Sequence, residues 1–126
     1  MKAMIMKIAI CSEQNRPDSV ISQRFGRSPW IAVYDKNTSQ WDFAANNQNL
    51  DAVQGAGIQT AQNILNTGAS IVLACNLGPK AMSVLQAANA KVYQAQENSG
   101  IDTNVEMFLQ GALELMKQAN VEGHWI

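Results

Sequence analysis

The chain reads as an α/β protein in three layers, on three observations. Ile5 to Cys11 and Ser70 to Cys75 are nearly continuous apolar runs, the pattern of central strands covered on both faces by helices. Trp30 to Tyr34 and Gln40 to Ala44 are rich in aromatic and β-branched residues and flank Asp35 to Ser39, a hairpin turn by composition, so an antiparallel pair is expected there. Beyond that pair, helical and strand patterns alternate, the order that builds parallel crossovers.

Taken in order, the alternation predicts a helix over about 54 to 67, a strand over 70 to 75, a helix over 79 to 88, a strand over 91 to 94 and a helix over 104 to 119. Gly68 stands where a left-handed C-terminal cap is expected, and Thr103 with Glu106 fits a capping box. In the last helix Val105, Phe108, Leu109, Ala112, Leu113 and Met116 recur at spacings of three and four, one apolar stripe that belongs to the core. Ala45 to Gln54 is polar, asparagine-rich and without period, hence a loop. Ser12 to Gln23 reads the same way apart from Val20 and Ile21.

A length of 126 residues fits one domain, 1–126, with enough chain to bury a core without disulfides or a structural metal. Nine basic residues against ten acidic ones leave a net charge of −1. The basic residues are dispersed, which gives no footprint for a nucleic-acid backbone. Met1 to Lys7 is too short an apolar stretch for a signal segment, and no later run approaches a membrane span. A cytoplasmic protein without nucleic-acid or membrane partners is expected. Its two cysteines, Cys11 and Cys75, lack metal-finger spacing and read as thiols in a reducing compartment.

Three segments carry binding chemistry. Cys75 to Ala81 follows an apolar run and opens a helical stretch, placing a strand end, a glycine turn and a helix N-terminus together; Pro79 suits the first helical position, and the next amides point outward. Gly55-Ala56-Gly57 is a second glycine-rich helix entrance. Arg24-Phe25-Gly26-Arg27 is a turn bracketed by arginines. Singly, each has a plain structural reading: a helix start, helix-to-sheet packing, a solvated surface turn.

Together, Arg24 to Trp30, Asn46-Asn47 leading to Gly55 through Gln59, and Asn76 to Ala81 resemble the dinitrogenase iron-molybdenum cofactor biosynthesis domain family, in the family's order and over roughly Ile8 to Ala119. That family includes nitrogenase cofactor carriers and the orange protein that holds a molybdenum-copper sulfide cluster. The resemblance implies a ribonuclease H-like motif: a five-stranded mixed sheet ordered 3-2-1-4-5, the second strand antiparallel, with helices on both faces. In that order the strand ends carrying Cys11 and Cys75 emerge on one edge of the sheet, where open α/β folds place ligands.

It further implies a non-catalytic carrier for an anionic metal-sulfur cluster, an iron-molybdenum cofactor precursor or a molybdenum-copper sulfide unit held without covalent attachment. Such a nitrogenase accessory factor would act in cluster assembly, storage or delivery, with cluster-assembly or nitrogenase-type proteins as partners. The alternative is a regulatory or protein-interaction module that keeps the fold but not cluster binding. The candidate cluster-binding residues are Arg24, Phe25, Gly26, Arg27, Asn47, Gly55, Gly57, Asn76, Gly78, Pro79 and Lys80. Guanidinium groups and backbone amides can hydrogen-bond a cluster's terminal sulfides and oxygens without displacing them, and glycines allow close backbone approach.

Catalysis is poorly provided for. Ribonuclease H-type nucleases need carboxylates on the first strand to hold magnesium, and Lys7 to Cys11 has none. A cysteine phosphatase would need an arginine six positions after Cys75, where Ala81 stands. The single histidine, His124, is third from the chain end, ill placed for a general base; His124-Trp125 is either a frayed terminus or a metal contact. For Cys11 and Cys75 two readings stand: small buried core residues, or soft thiolate ligands facing one metal.

Overall fold

A central strand, β1 (Lys7–Ser12), pairs with two neighbours at once: antiparallel with β2 (Trp30–Asp35) and parallel with β4 (Ile71–Ala74). β2 also pairs antiparallel with β3 (Gln40–Ala45), and β4 parallel with β5 (Lys91–Gln94), so the sheet runs β3-β2-β1-β4-β5 with β2 opposed to the rest. This is the expected order and polarity. The structure, a computed structural model, describes residues 6–48 and 55–121. Asn49 to Gln54, Met1 to Ile5, and Glu122 to Ile126 with His124 and Trp125 lie outside the described residues.

The pleat sorts the apolar residues into two cores. Ala9 and Cys11 of β1, Ile31 and Val33 of β2 and Val72 of β4 face α1 (Ala56–Asn66) and α2 (Pro79–Ala87), whose Ala61, Ile64, Met82 and Leu85 complete that core. Ile8, Ile10, Ala32, Ile71 and Leu73 face the other way, toward Ile101 and Val105 of α3 (Ile101–Leu109). Ile8, Ile10, Leu73 and Leu85 have no exposed surface, and each such side chain contributes about 1.5–3 kcal/mol by leaving water. Among the described residues no buried side-chain nitrogen or oxygen lacks a hydrogen-bond partner. Nor is any helix there long and apolar enough to cross a membrane.

Local signals account for most boundaries. The turn between β2 and β3 closes through Ser39, whose N–H donates to Asp35 O at 2.8 Å with its own φ at 57°. Gly68 ends α1 at φ 84°, as expected, and Asn89 ends α2 the same way at φ 62°.

The last helix differs from expectation. α3 spans Ile101–Leu109, not 104 to 119, because Gly111 takes φ 76° and closes the end: its N–H donates to Phe108 O, and that of Ala112 to Met107 O. The chain then returns beside β5 as a short antiparallel segment, with Gln94 N–H donating to Glu114 O at 2.8 Å and Met116 N–H to Val92 O at 2.7 Å. The apparent stripe is therefore split. Val105, Phe108 and Leu113 pack on the α3 side, whereas Met116 reaches the core beneath α1 and α2. Nor do Thr103 and Glu106 form a capping box: Gly100 is the N-cap, and both residues are exposed within the helix. The entry is organised instead by buried Asn104, which accepts from Gln96 N–H at 2.8 Å and donates to Gly100 O at 3.0 Å.

Candidate functional site

Because β1, β3, β4 and β5 run one way, the turns leaving them and the turn entering β2 meet at a single sheet edge. There the sequence supplies a 3-10 turn at Phe25–Arg27, the start of α1 after Gly55 and the start of α2 after Gly78.

Polar contacts lock these pieces together. Arg24 and Asn76 form an isolated parallel bridge, reinforced by Asn76 Nδ2 donating to Gln23 O at 2.9 Å. On the other side, Gln48 Nε2 reaches Gly26 O at 3.4 Å, Ala56 O at 3.3 Å and Thr60 Oγ1 at 2.9 Å, joining the arginine turn to α1. Asn46 Nδ2 donates to Ser28 O at 2.8 Å and to Thr60 Oγ1 at 2.9 Å, while Asn63 Nδ2 donates to Asn47 O at 2.8 Å.

The electrostatics of the edge favour an anion on the side of α1 and α2. Neither helix has a side-chain cap or an acidic residue in its first turn, so within the helices themselves nothing offsets the positive end of the peptide dipole. By contrast, α3 carries Asp102 in its first turn. Arg24, Arg27 and Lys80 are exposed around the two entrances. Ser22 Oγ donates to the Glu13 carboxylate, which lies near Cys11 at the end of β1.

The eleven candidate cluster-binding residues divide by exposure. Arg24, Arg27, Asn47, Gly55, Pro79 and Lys80 present surface and Asn76 is half-buried, whereas Phe25, Gly26, Gly57 and Gly78 are buried. Phe25, 2% exposed, anchors the arginine turn in the core. Gly55 and Gly78 have ordinary extended backbones, with φ near −73° and −79°, and a Cβ on Gly55 would meet nothing within 4 Å. At Gly55 no contact within the described protein requires glycine.

The cysteines are not brought to one ligand. Their strand ends are neighbours, but the register aligns Ile10 with Leu73, so Cys11 stands level with Ala74 and one pleat apart from Cys75. Cys11 lies in the core of α1 and α2, Cys75 in that of α3, each 3% exposed. Burial pushes the Cys11 thiol up to about 12, against a weaker opposing effect of its hydrogen bond with Ser28, and burial pushes Cys75 up to about 11. Two protonated thiols on opposite faces do not make a shared thiolate site. Among the described residues no cluster of three or more His, Cys, Asp or Glu side chains is arranged to hold a metal ion.

A groove of about 720 Å³ lies between β3 and α1 and meets the loop edge at Ala45 and Asn47. Sequence reasoning missed Gln48, Thr60, Gln94 and Asn120, which hold the backbone of the loop edge in place. Thr60 sits at a core-facing position of α1, and that placement of a hydroxyl is the one local signal among them.

A three-layer α/β fold with a ribonuclease H-like strand order and an anion-favouring edge is the class these features define. The chain belongs to the dinitrogenase iron-molybdenum cofactor family, Nitro_FeMo-Co, whose pattern it matches over residues 6–111. It is 32% identical over 120 residues to an uncharacterized protein of Methanocaldococcus jannaschii, covering 90% of this chain and 94% of that one. Among solved structures it resembles the apo form of the orange protein from Desulfovibrio gigas, with a TM-score of 0.86 and 32% identity over 95% of this chain and 100% of that one. A NifB-like protein from Thermotoga superposes with a TM-score of 0.77 and 29% identity, covering 94% and 99%.

Proposed function

We propose that this protein is a non-catalytic carrier that takes an anionic molybdenum-containing metal-sulfur cluster as cargo at the loop edge and holds it for assembly, storage or delivery. The observation that carries this reading is the bridge between Arg24 and Asn76, which sets the arginine turn directly against the entrance of α2. An anion seated there meets guanidinium groups from one loop and first-turn amides from the other. Membership of the iron-molybdenum cofactor family and likeness to the orange protein support the choice of cargo.

The cluster keeps its own sulfides as metal ligands, and the protein supplies donors and shape. Arg24 and Arg27 provide charge, the α1 and α2 amides provide directional donors, and Gln48, Asn46 and Thr60 fix the spacing between them. Recipient proteins of the cofactor-assembly or nitrogenase type, and a cytoplasmic location, go with this role.

Reconstitution with tetrathiomolybdate and copper tests it. The protein gains visible absorbance that co-elutes with it in gel filtration at a fixed stoichiometry. Colour that separates from the protein, under both this treatment and incubation with iron-molybdenum cofactor extract, overturns the carrier reading in favour of an interaction module.

A further inference from the structure

The turn from β4 into α2 is too short to pair its own backbone, and a residue 43 positions after Leu77 does so instead. Asn120 Oδ1 accepts the Leu77 N–H at 2.7 Å, and Asn120 Nδ2 donates to Cys75 O at 2.7 Å and to Gln94 Oε1 at 3.2 Å. The Asn120 N–H donates to Leu77 O at 3.1 Å, and Gln94 Nε2 adds a second bond to Cys75 O at 2.8 Å. The orientation of the Asn120 amide follows from these partners, since an N–H needs its oxygen and a carbonyl needs its NH2.

Asn120 is delivered by the segment that follows α3. Gly111 turns that segment back, Met116 is buried beside β5, and Lys117 O accepts from Gln86 Nε2 at 3.0 Å, so the strap is fastened along its length before it reaches the turn. Cys75 and Leu77, the residues it grips, flank Asn76, which docks on the Arg24 segment. The turn is thereby held from both sides.

We propose that Asn120 is a positioning residue of the cluster site, a role that rests on the carrier reading above. By satisfying Leu77 and Cys75 it keeps the α2 entrance facing the loop edge and keeps Asn76 in register with Arg24. Asn120 is itself exposed and forms no part of the sheet ladder or of either apolar core. Its loss therefore loosens the turn while the sheet stays intact.

The test combines residue-resolved amide hydrogen exchange with titration by tetrathiomolybdate and copper, on the parent, Asn120→Ala and Asn120→Asp. In Asn120→Ala the Leu77 amide exchanges at least about tenfold faster, Ile10 in β1 exchanges as in the parent, and cluster affinity falls by about tenfold. Asn120→Asp keeps an acceptor for the Leu77 N–H but loses the donor to Cys75 O, and recovers part of the Leu77 protection that alanine loses. Equal acceleration at Ile10, failure of aspartate to recover Leu77, or an alanine variant that binds like the parent overturns the positioning role. A parent that takes up no cluster overturns the carrier reading instead, and the two failures are read from different samples.

Discussion

Cys11 and Cys75 sit at the ends of adjacent parallel strands yet lie on opposite faces of the sheet, one against Phe25, the other beside Ala95 and Ile101. That placement argues against direct ligation of one metal by both thiolates. Cys11→Ser and Cys75→Ser are each expected to keep the absorbance of the tetrathiomolybdate-copper complex, at a cost in stability from placing a hydroxyl in an apolar core. Loss of colour in either folded variant would return the thiol to the site.

The same burial makes stability depend on alkaline pH. Both thiols have folded-state pKa values raised from 9.0, to about 12 for Cys11 and about 11 for Cys75. Above pH 9 the unfolded chain therefore releases thiol protons that the folded one retains, and unfolding is favoured. The stabilisation is complete below pH 9 and is lost as pH rises through 11 to 12, at up to about 1.4 kcal/mol per pH unit for each thiol. Urea midpoints measured between pH 8 and 10.5 should fall more steeply for the parent than for the Cys11→Ala, Cys75→Ala double variant.

Replacing Arg24 and Arg27 together with alanine should weaken cluster uptake by about tenfold or more, since two charge-assisted donors leave the edge. The turn itself is anchored by buried Phe25 and by the Gly26 carbonyl, so circular dichroism should match the parent. Binding within a factor of about two of the parent in an absorbance titration would make the arginines bystanders.

Asn104 is fully buried, and its side chain serves Gln96 N–H, Gln96 O and Gly100 O. Asn104→Leu strands those backbone groups and should cost about 2–3 kcal/mol in denaturant unfolding. A loss below about 0.5 kcal/mol would mean that water replaces the amide.

Gly111→Ala places a Cβ at φ 76°, where nothing lies within 4 Å, so the expected penalty of about 1–2 kcal/mol is purely conformational. Because Gly111 also starts the return toward β5, exchange at the Met116 amide should rise with it. Unaltered stability would show that the turn shifts without strain.

Much of the fold could be read directly from the chain, for local reasons. Two continuous apolar runs can be only buried strands or buried helices, and their length and β-branched content decide for strands. The segment Asp35 to Ser39 can hardly do anything but turn, and Gly68 sits where the preceding helix needs a left-handed residue. Residues that act through their own neighbours leave such marks. Strand order followed from family resemblance, since periodicity says nothing about which strand lies beside which.

What only the tertiary structure decided has a common physical origin. Leu113 and Met116 satisfy a helical spacing, but Gly111 breaks the helix first and a strand edge at β5 offers the freed backbone better pairing than solvent does. Cys11 and Cys75 face apart because of a one-residue offset across the β1–β4 register, which no feature of either run encodes. Thr60 binds Asn46 and Gln48, and Asn120 binds Leu77, across 12 to 43 positions of chain. An asparagine or glutamine is equally content with water or with a backbone carbonyl, so its sequence context is silent about its partner. Only the packing of α1, α2 and the C-terminal return against the sheet brings those partners within reach.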